Sequence, residues 1–334
     1  MLRISCEDLS VALTNALLKL DFEQSRAQTC ARLFTEATCD GIYSHGINRF
    51  PRFVKMVRNG SIDVTAIPIP VCKHGVLERW NGRRGPGNLN AYECMERAIA
   101  LAREHGVGCI ALANTNHWMR GGTYGWQAAE AGVIGICWTN TMPNLPPWGS
   151  PQPRLGNNPL VIAIPRPAGH VVLDIAMSQF SYGALASYRT RGEQLPVAGG
   201  YDLNGELTRD PAAIEKSQRP LPIGYWKGSG LALALDMMAA MLSGGQATHR
   251  ISTDELHETG LSQVFLALDV SAFGPPSTLE ESADQIIDFV QANSSTDGGE
   301  SVRYPGEQVL RVRAENRALG VPVDPTVWAE IQNL

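Results

Sequence analysis

A histidine set between serine and glycine, with an arginine four residues on, is equipped to exchange a proton and hold an anion. His45 and Arg49 stand this way in the run Gly41-Ile42-Tyr43-Ser44-His45-Gly46-Ile47-Asn48-Arg49-Phe50-Pro51. Near-neutral titration suits His45 to trade a proton with an alkoxide or carbonyl oxygen. Arg49 could clamp a carboxylate through two parallel hydrogen bonds. In a helix the two would lie one turn apart, although Gly46 and Pro51 work against a regular helix. The plainer reading of the same residues is a surface histidine and a solvated arginine.

Three more segments carry chemical potential. Asn116-His117-Trp118-Met119-Arg120-Gly121-Gly122-Thr123-Tyr124-Gly125-Trp126 follows a predicted strand and mixes polar groups, aromatics and glycines. Loops at strand ends are where α/β proteins place sites, but the segment reads equally well as an aromatic-rich loop over a core. Tyr225-Trp226-Lys227-Gly228-Ser229-Gly230 opens an apolar helix. Free N–H groups at a helix start, beside a lysine, suit a pyrophosphate; the alternative is a plain helix start that buries Leu231, Leu235 and Met238. Asp174-Ile175-Ala176-Met177-Ser178-Gln179-Phe180 places a carboxylate directly after Val171-Val172-Leu173. Such an acid needs partners: a ribose hydroxyl, an imidazole to orient, or backbone N–H groups.

These segments need a scaffold. Ser5 and Asp8 form an approximate capping box ahead of Leu9, Leu13, Ala16, Leu17 and Leu20, which recur at helical spacing. A second helix is predicted from about Ser25 to Cys39, and a third carries Phe53, Val54 and Val57 before stopping at Asn59-Gly60. From about Thr65 to Gly87 the chain is rich in Pro, Gly and Arg and reads as a crossing between two units. Beyond it the pattern predicts a helix over Asn88–His105. Short Val- and Ile-rich strands follow at Val107–Ala113, Val133–Thr139, Leu160–Ile164, Val171–Ala176 and Val264–Val270. Long helices are expected over Gly228–Ser243 and about Ser277–Ala292. The chain closes with a helix around Val309–Leu319 and another opened by Asp324-Pro325. Gly298-Gly299 falls in a short polar loop. The expectation is an α/β protein in which both chain ends, 1–75 and 300–334, build a helical domain and 76–299 forms a central α/β domain.

Composition narrows the partners. A chain of 334 residues with net charge −5 and no basic run lacks the clustered cations that nucleic acid or an anionic membrane requires. Seven scattered cysteines, without a C-x-x-C pair, fit neither a zinc site nor a disulfide framework and point to a reducing cytoplasm. No run approaches the ~18 apolar residues of a membrane span. No metal-ligand spacing and no P-loop occurs. A glycine-rich dinucleotide fingerprint is missing too: Gly85-Pro86-Gly87 has Asn90 where the third glycine should be, and Gly228-Ser229-Gly230 has Leu233.

The segments together resemble the type-2 malate/L-lactate dehydrogenase family, NAD(P)H oxidoreductases without a Rossmann fold. The resemblance is carried by Tyr43-Ser44-His45-Gly46 with Asn48-Arg49-Phe50-Pro51-Arg52-Phe53, by Asn116 through Gly122, and by Tyr124 through Glu130. It continues through Gly135 to Asn140, Gly224 to Gly230 and Ala314-Glu315-Asn316-Arg317. It implies a non-Rossmann nicotinamide-binding sheet, a homodimer with the active site near the subunit contact, and NAD as cofactor, NADH being preferred and NADPH the alternative. By matched position His45 is the proton donor. Arg49 and Arg120 would hold the substrate carboxylate, and His117 would orient a hydroxyl or carbonyl. Asp174, Ile175, Ala176, Met177, Ser178, Gln179, Phe180, Trp226 and Lys227 fall on cofactor-binding stretches. So does Gly306-Glu307-Gln308, where a member of that family has Gly-His-Glu. The implied reaction is hydride delivery to the C2 carbonyl of a small 2-keto acid. Through the resemblance, Trp118, Trp126, Gly121 and Gly122 favour a polyhydroxylated keto sugar acid. Alternatives are malate, lactate or ureidoglycolate oxidation, cyclic imine reduction, or a non-catalytic binding protein.

Overall fold

The computed structural model describes residues 2–292 and 302–334, so the Gly298-Gly299 loop lies outside the described residues. The chain begins with a short strand β1 (Leu2–Ile4) and helices α1 (Cys6–Leu18), α2 (Gln24–Cys39) and α3 (Phe50–Arg58). Ser5 caps α1 by accepting from the Asp8 N–H, as the spacing predicted. At the other end come α10 (Glu307–Leu319), β11 (Val321–Val323) and α11 (Pro325–Gln332), the last capped by Asp324. β1 pairs antiparallel with β11. One apolar core joins Leu9, Leu13, Phe34, Phe50 and Phe53 to Val321, Val323 and Ile331, so both chain ends build a single helical unit.

Between them lies a seven-stranded sheet in the order β2-β3-β4-β10-β5-β6-β7. Its strands are β2 (Ile69–His74), β3 (Leu77–Asn81), β4 (Val107–Asn116), β5 (Ile134–Thr139), β6 (Leu160–Ile164), β7 (Val171–Ile175) and β10 (Thr259–Leu268). Only β3 and β4 run parallel, joined through α4 (Gly87–His105); every other pairing is antiparallel. A doubly wound sheet is therefore ruled out, which accounts for the missing glycine fingerprint. Helices α4 and α5 (Gly122–Glu130) cover one face through Met95, Ala98, Trp118, Tyr124 and Phe265. Helix α8 (Trp226–Ser243) covers the other through Ala232, Leu235 and Ala239. A small outlying unit follows β7: α6 (Tyr182–Arg191), β8 (Gly200–Tyr201), β9 (Leu207–Thr208) and α7 (Pro211–Ser217), around Leu185, Leu195 and Ile214. α9 (Pro276–Gln291) completes the elements.

Several expectations are corrected. The stretch read as a crossing contains the β2–β3 hairpin, whose charged and proline-bearing strands hide the alternation. Trp118, Tyr124 and Trp126 are 1%, 1% and 5% exposed and belong to the core, so they do not present aromatic faces to a ligand. Of the α8 residues expected to be inward, Leu235 is buried, but Leu231 and Met238 are exposed. Cys6 and Cys39 form a disulfide that the spacing concealed. α1 and α2 return antiparallel, which carries residues 33 apart in sequence to the same end of the pair.

Candidate active site

The His45 segment is two consecutive 3₁₀ turns, Tyr43–His45 and Ile47–Arg49, rather than an α-helix. Gly46 explains why. A Cβ there would stand 2.3 Å from the Thr38 hydroxyl oxygen and 2.8 Å from the Thr38 nitrogen. Glycine lets the turn seat directly on α2, where Thr38 Oγ1 accepts from the Ile47 N–H at 2.9 Å. His117 is fixed from beneath in a comparable way. A Cβ at Gly87, the first residue of α4, would meet the carbonyl oxygens of Asn116 and His117 at 2.3 Å. Asn116 itself is fully buried and donates to the Arg84 and Gly85 carbonyls at 2.8 and 3.0 Å, so its amide serves the scaffold.

These two pins bring His45 and His117 together, with ring centroids 5.8 Å apart and planes 23° from parallel. The Met119 N–H donates to His117 Nδ1 at 3.0 Å, which leaves the neutral ring's proton on Nε2. Ser44 Oγ lies 3.0 Å from His45 Nδ1 and can orient that ring similarly. α6 packs on the same spot, Gly183 resting against Ser44. Burial, then the cations Arg49 and Arg120, push His45 down to about 4. Burial, with Arg49, His45 and Arg52, holds His117 well below the usual histidine range. Both rings are therefore neutral near pH 7 in the free protein.

Arg49 is largely buried, and its guanidinium stands 3.7 Å from Glu258, itself 3% exposed. Arg52 lies 3.6 Å from the same carboxylate and donates to Glu255 Oε2 at 2.6 Å. Two cations thus share one buried anion. Sequence reasoning missed Glu258, which sits in a polar stretch without a local signal. Arg120, expected near a substrate carboxylate, instead donates to Asp40.

The remaining stretches gather around β7. Asp174 Oδ2 accepts from the Gly122 N–H at 2.8 Å, the simplest of its three expected partners. Ile223 donates to the Met177 carbonyl at 2.9 Å, and Gln179 donates to Leu221 at 2.7 Å. Residues 174–180 therefore run beside the approach to Trp226 and Lys227, both exposed. The expected free N–H groups at this helix start are partly used: Lys227 donates to Gly224 and Gly228 to Ile223. At the opposite end of β7, Val172 donates to the Pro305 carbonyl at 2.8 Å, which seats Gly306 against that strand. Glu307 carries a buried carboxylate oxygen without a hydrogen-bond partner, and Gln308 accepts from Arg303 at 2.7 Å.

Comparison with known proteins gives the family. The sequence pattern of the malate/L-lactate dehydrogenase family matches residues 4–332. The chain is 45% identical over 333 residues to 2,3-diketo-L-gulonate reductase of Escherichia coli O127:H6, covering all of both chains. Its fold superposes on sulfolactate dehydrogenase from Methanocaldococcus jannaschii with TM-score 0.91 and 27% identity, covering 99% of this chain and 95% of that one. Malate dehydrogenase from Pyrococcus horikoshii gives 0.89 and 25%, over 98% and 93%. The chain belongs to the malate/L-lactate dehydrogenase family.

Proposed function

We propose that this protein reduces the C2 carbonyl of 2,3-diketo-L-gulonate, a keto sugar acid, to 3-dehydro-L-gulonate, with His45 as proton donor. The half-buried His45–His117 pair with Arg49 beside it carries the reading. The substrate choice rests on the full-length 45% identity to a reductase of that name. A nicotinamide dinucleotide fits the residues around β7: Trp226 offers an exposed aromatic face and Lys227 a cation, next to the 174–180 stretch. Gly306, Glu307 and Gln308 border the same strand, and Glu307 has an acceptor oxygen unused by the protein. When bound, the reduced cofactor, NADH by preference and NADPH otherwise, supplies the hydride.

The chain's own residues do the rest. Arg49 holds the substrate carboxylate, its guanidinium aimed by the buried Glu258. That carboxylate, arriving beside two neutral imidazoles, raises the proton affinity of His45, which then gives a proton to the oxygen developing at C2. His117, its proton on Nε2, donates to a substrate hydroxyl or carbonyl. Arg120 is engaged by Asp40 through one nitrogen, so Arg49 is proposed as the main anchor of the substrate carboxylate.

A homodimer belongs to the same proposal. Leu231, Leu233, Met237, Met238 and Met241 are exposed along α8, an apolar area that a partner would cover. The division into 1–75 with 300–334 and 76–299 is proposed as well, its first boundary moved ahead of Ile69 because β2 joins the sheet. A cytoplasmic location rests on the five cysteines outside the disulfide, and the Cys6–Cys39 bridge opposes it. Among the described residues no helix is long and apolar enough to cross a membrane.

One reading within the family competes. Arg52 beside Arg49 would suit a second acidic group on the substrate, as in a dicarboxylic or sulfonated hydroxy acid. The decisive experiment compares kcat/KM for 2,3-diketo-L-gulonate, oxaloacetate, pyruvate and a cyclic imino acid, each with NADH and NADPH. The sugar acid with NADH should lead; a higher value for oxaloacetate would transfer the assignment to the diacid reading. No cofactor oxidation with any of them would point to a non-catalytic binding protein.

A further inference from the structure

Asp40 closes α2 five residues before His45 and is 4% exposed. Its Oδ1 accepts from Arg313 Nε at 2.5 Å, and its Oδ2 accepts from Arg313 Nη2 at 2.8 Å and from Arg120 Nη1. Arg313 comes from α10 and lies over Trp126, 4.3 Å from the ring centre. Arg120, also 4% exposed, comes from the loop that carries His117. Its Nε is buried without a hydrogen-bond partner and points along the side where Gly122 and Asp174 meet. A point one Cβ bond out from Gly122 is 3.3 Å from that Nε and 2.7 Å from Asp174 Oδ2. One guanidinium thus stands between a carboxylate of the helical unit and a carboxylate of the sheet.

We propose that Asp40 is a positioning residue for this site: it pins Arg120 between the two units as a fixed, partly neutralised cation near His45. The inference rests on the reading of His45 as proton donor. A buried guanidinium without its counter-ion would be costly and free to turn toward the nearest polar space. Four arginines, Arg32, Arg120, Arg313 and Arg317, line the same 350 Å³ cavity as Asp40, with Glu36, Glu96 and Glu130 as the other acids. Around His45 itself stand Ser44 and Arg49 of its own segment and His117 and Arg120 of the facing loop, with Gly183 of α6 packed on Ser44. Arg120 already weighs against protonation of His45, and a carboxylate bonded to that guanidinium, as Asp40 is, should offset part of its charge. Removing the carboxylate should make the imidazole harder to protonate; removing the guanidinium should make it easier.

The test follows His45 directly by NMR in intact enzyme with ¹³C-labelled histidine rings, the resonance being assigned by its loss in His45→Gln. Arg120→Met keeps the Asp40–Arg313 pair and should raise the His45 titration by about one pH unit. Asp40→Asn should lower kcat/KM for reduction near pH 6 by about tenfold, with cofactor Kd unchanged. Adding Arg120→Met to it, or using Asp40→Glu instead, should restore most of the loss. If Arg120→Met leaves the titration of His45 unmoved, the proposal falls, whatever happens to the melting temperature; this also decides the matter should Asp40→Asn fail to fold. Wild-type turnover in His45→Gln would instead overturn the proton-donor reading, and the NMR shift would be unaffected by that outcome.

Discussion

His45 enters the free protein as a neutral ring, because burial and two cations depress it to about 4. Two consequences follow at this scale. Reduction needs the protonated ring, so kcat/KM should fall about tenfold per pH unit above the free-enzyme value. The kcat profile, which reports the complex, should bend at a higher pH because the bound carboxylate favours the imidazolium. Coincident bends in the two profiles would remove the substrate carboxylate from that role. The second consequence concerns stability. A histidine whose folded value lies below its unfolded ~6.5 binds more protons when unfolded. Its contribution is intact above about pH 6.5 and lost as pH falls toward 4. Wild type should therefore lose about 2–3 kcal/mol more than His45→Gln between pH 7 and 4.5, measurable by urea unfolding at both pH values. Equal losses would mean that the ring is more solvated than the structure has it.

At the scale of elements, what positions the site is close backbone approach. Gly46→Ala would drive a methyl into Thr38 and lift the His45 turns off α2. It should cost about 1–3 kcal/mol in stability, as overpacking does, and lower kcat while cofactor Kd holds. Unchanged melting and turnover would show that the turns do not depend on that seat. The helices and central strands were legible because their burial is periodic: α4 stops at Gly106 and β6 spans Leu160–Ile164 as the pattern predicts. His45, His117 and Arg49 were legible from residue type and resemblance. Glu258 and Asp40 were not. Each owes its importance to partners far along the chain, Arg49 for one and Arg120 and Arg313 for the other, and no local spacing encodes such encounters. The aromatic segment was open for the opposite reason: its residues read equally well as a site or as a cover for a core, and Trp118 and Tyr124 pack on Phe265.

For the whole molecule, the exposed methionines of α8 should lie in the contact between subunits. Wild type should run at twice the 36.2 kDa chain mass in light scattering, and Met237→Glu with Met241→Glu should shift it toward a single chain. Identical masses for the two proteins would assign that face to something other than a second subunit.

The pairing of β1 with β11 also has a meaning for how the protein is made. The apolar faces of α1 to α3 cannot be sealed until Val321, Val323 and Ile331 have been synthesised near the end of 334 residues. At about 5–20 residues per second, that is a wait of roughly 15–50 s on the ribosome. Throughout it the nascent His45 segment sits on an unfinished core, so the first helices emerge as natural clients for chaperones, and truncation of only the last turns should leave a chain that aggregates rather than one that is merely less active.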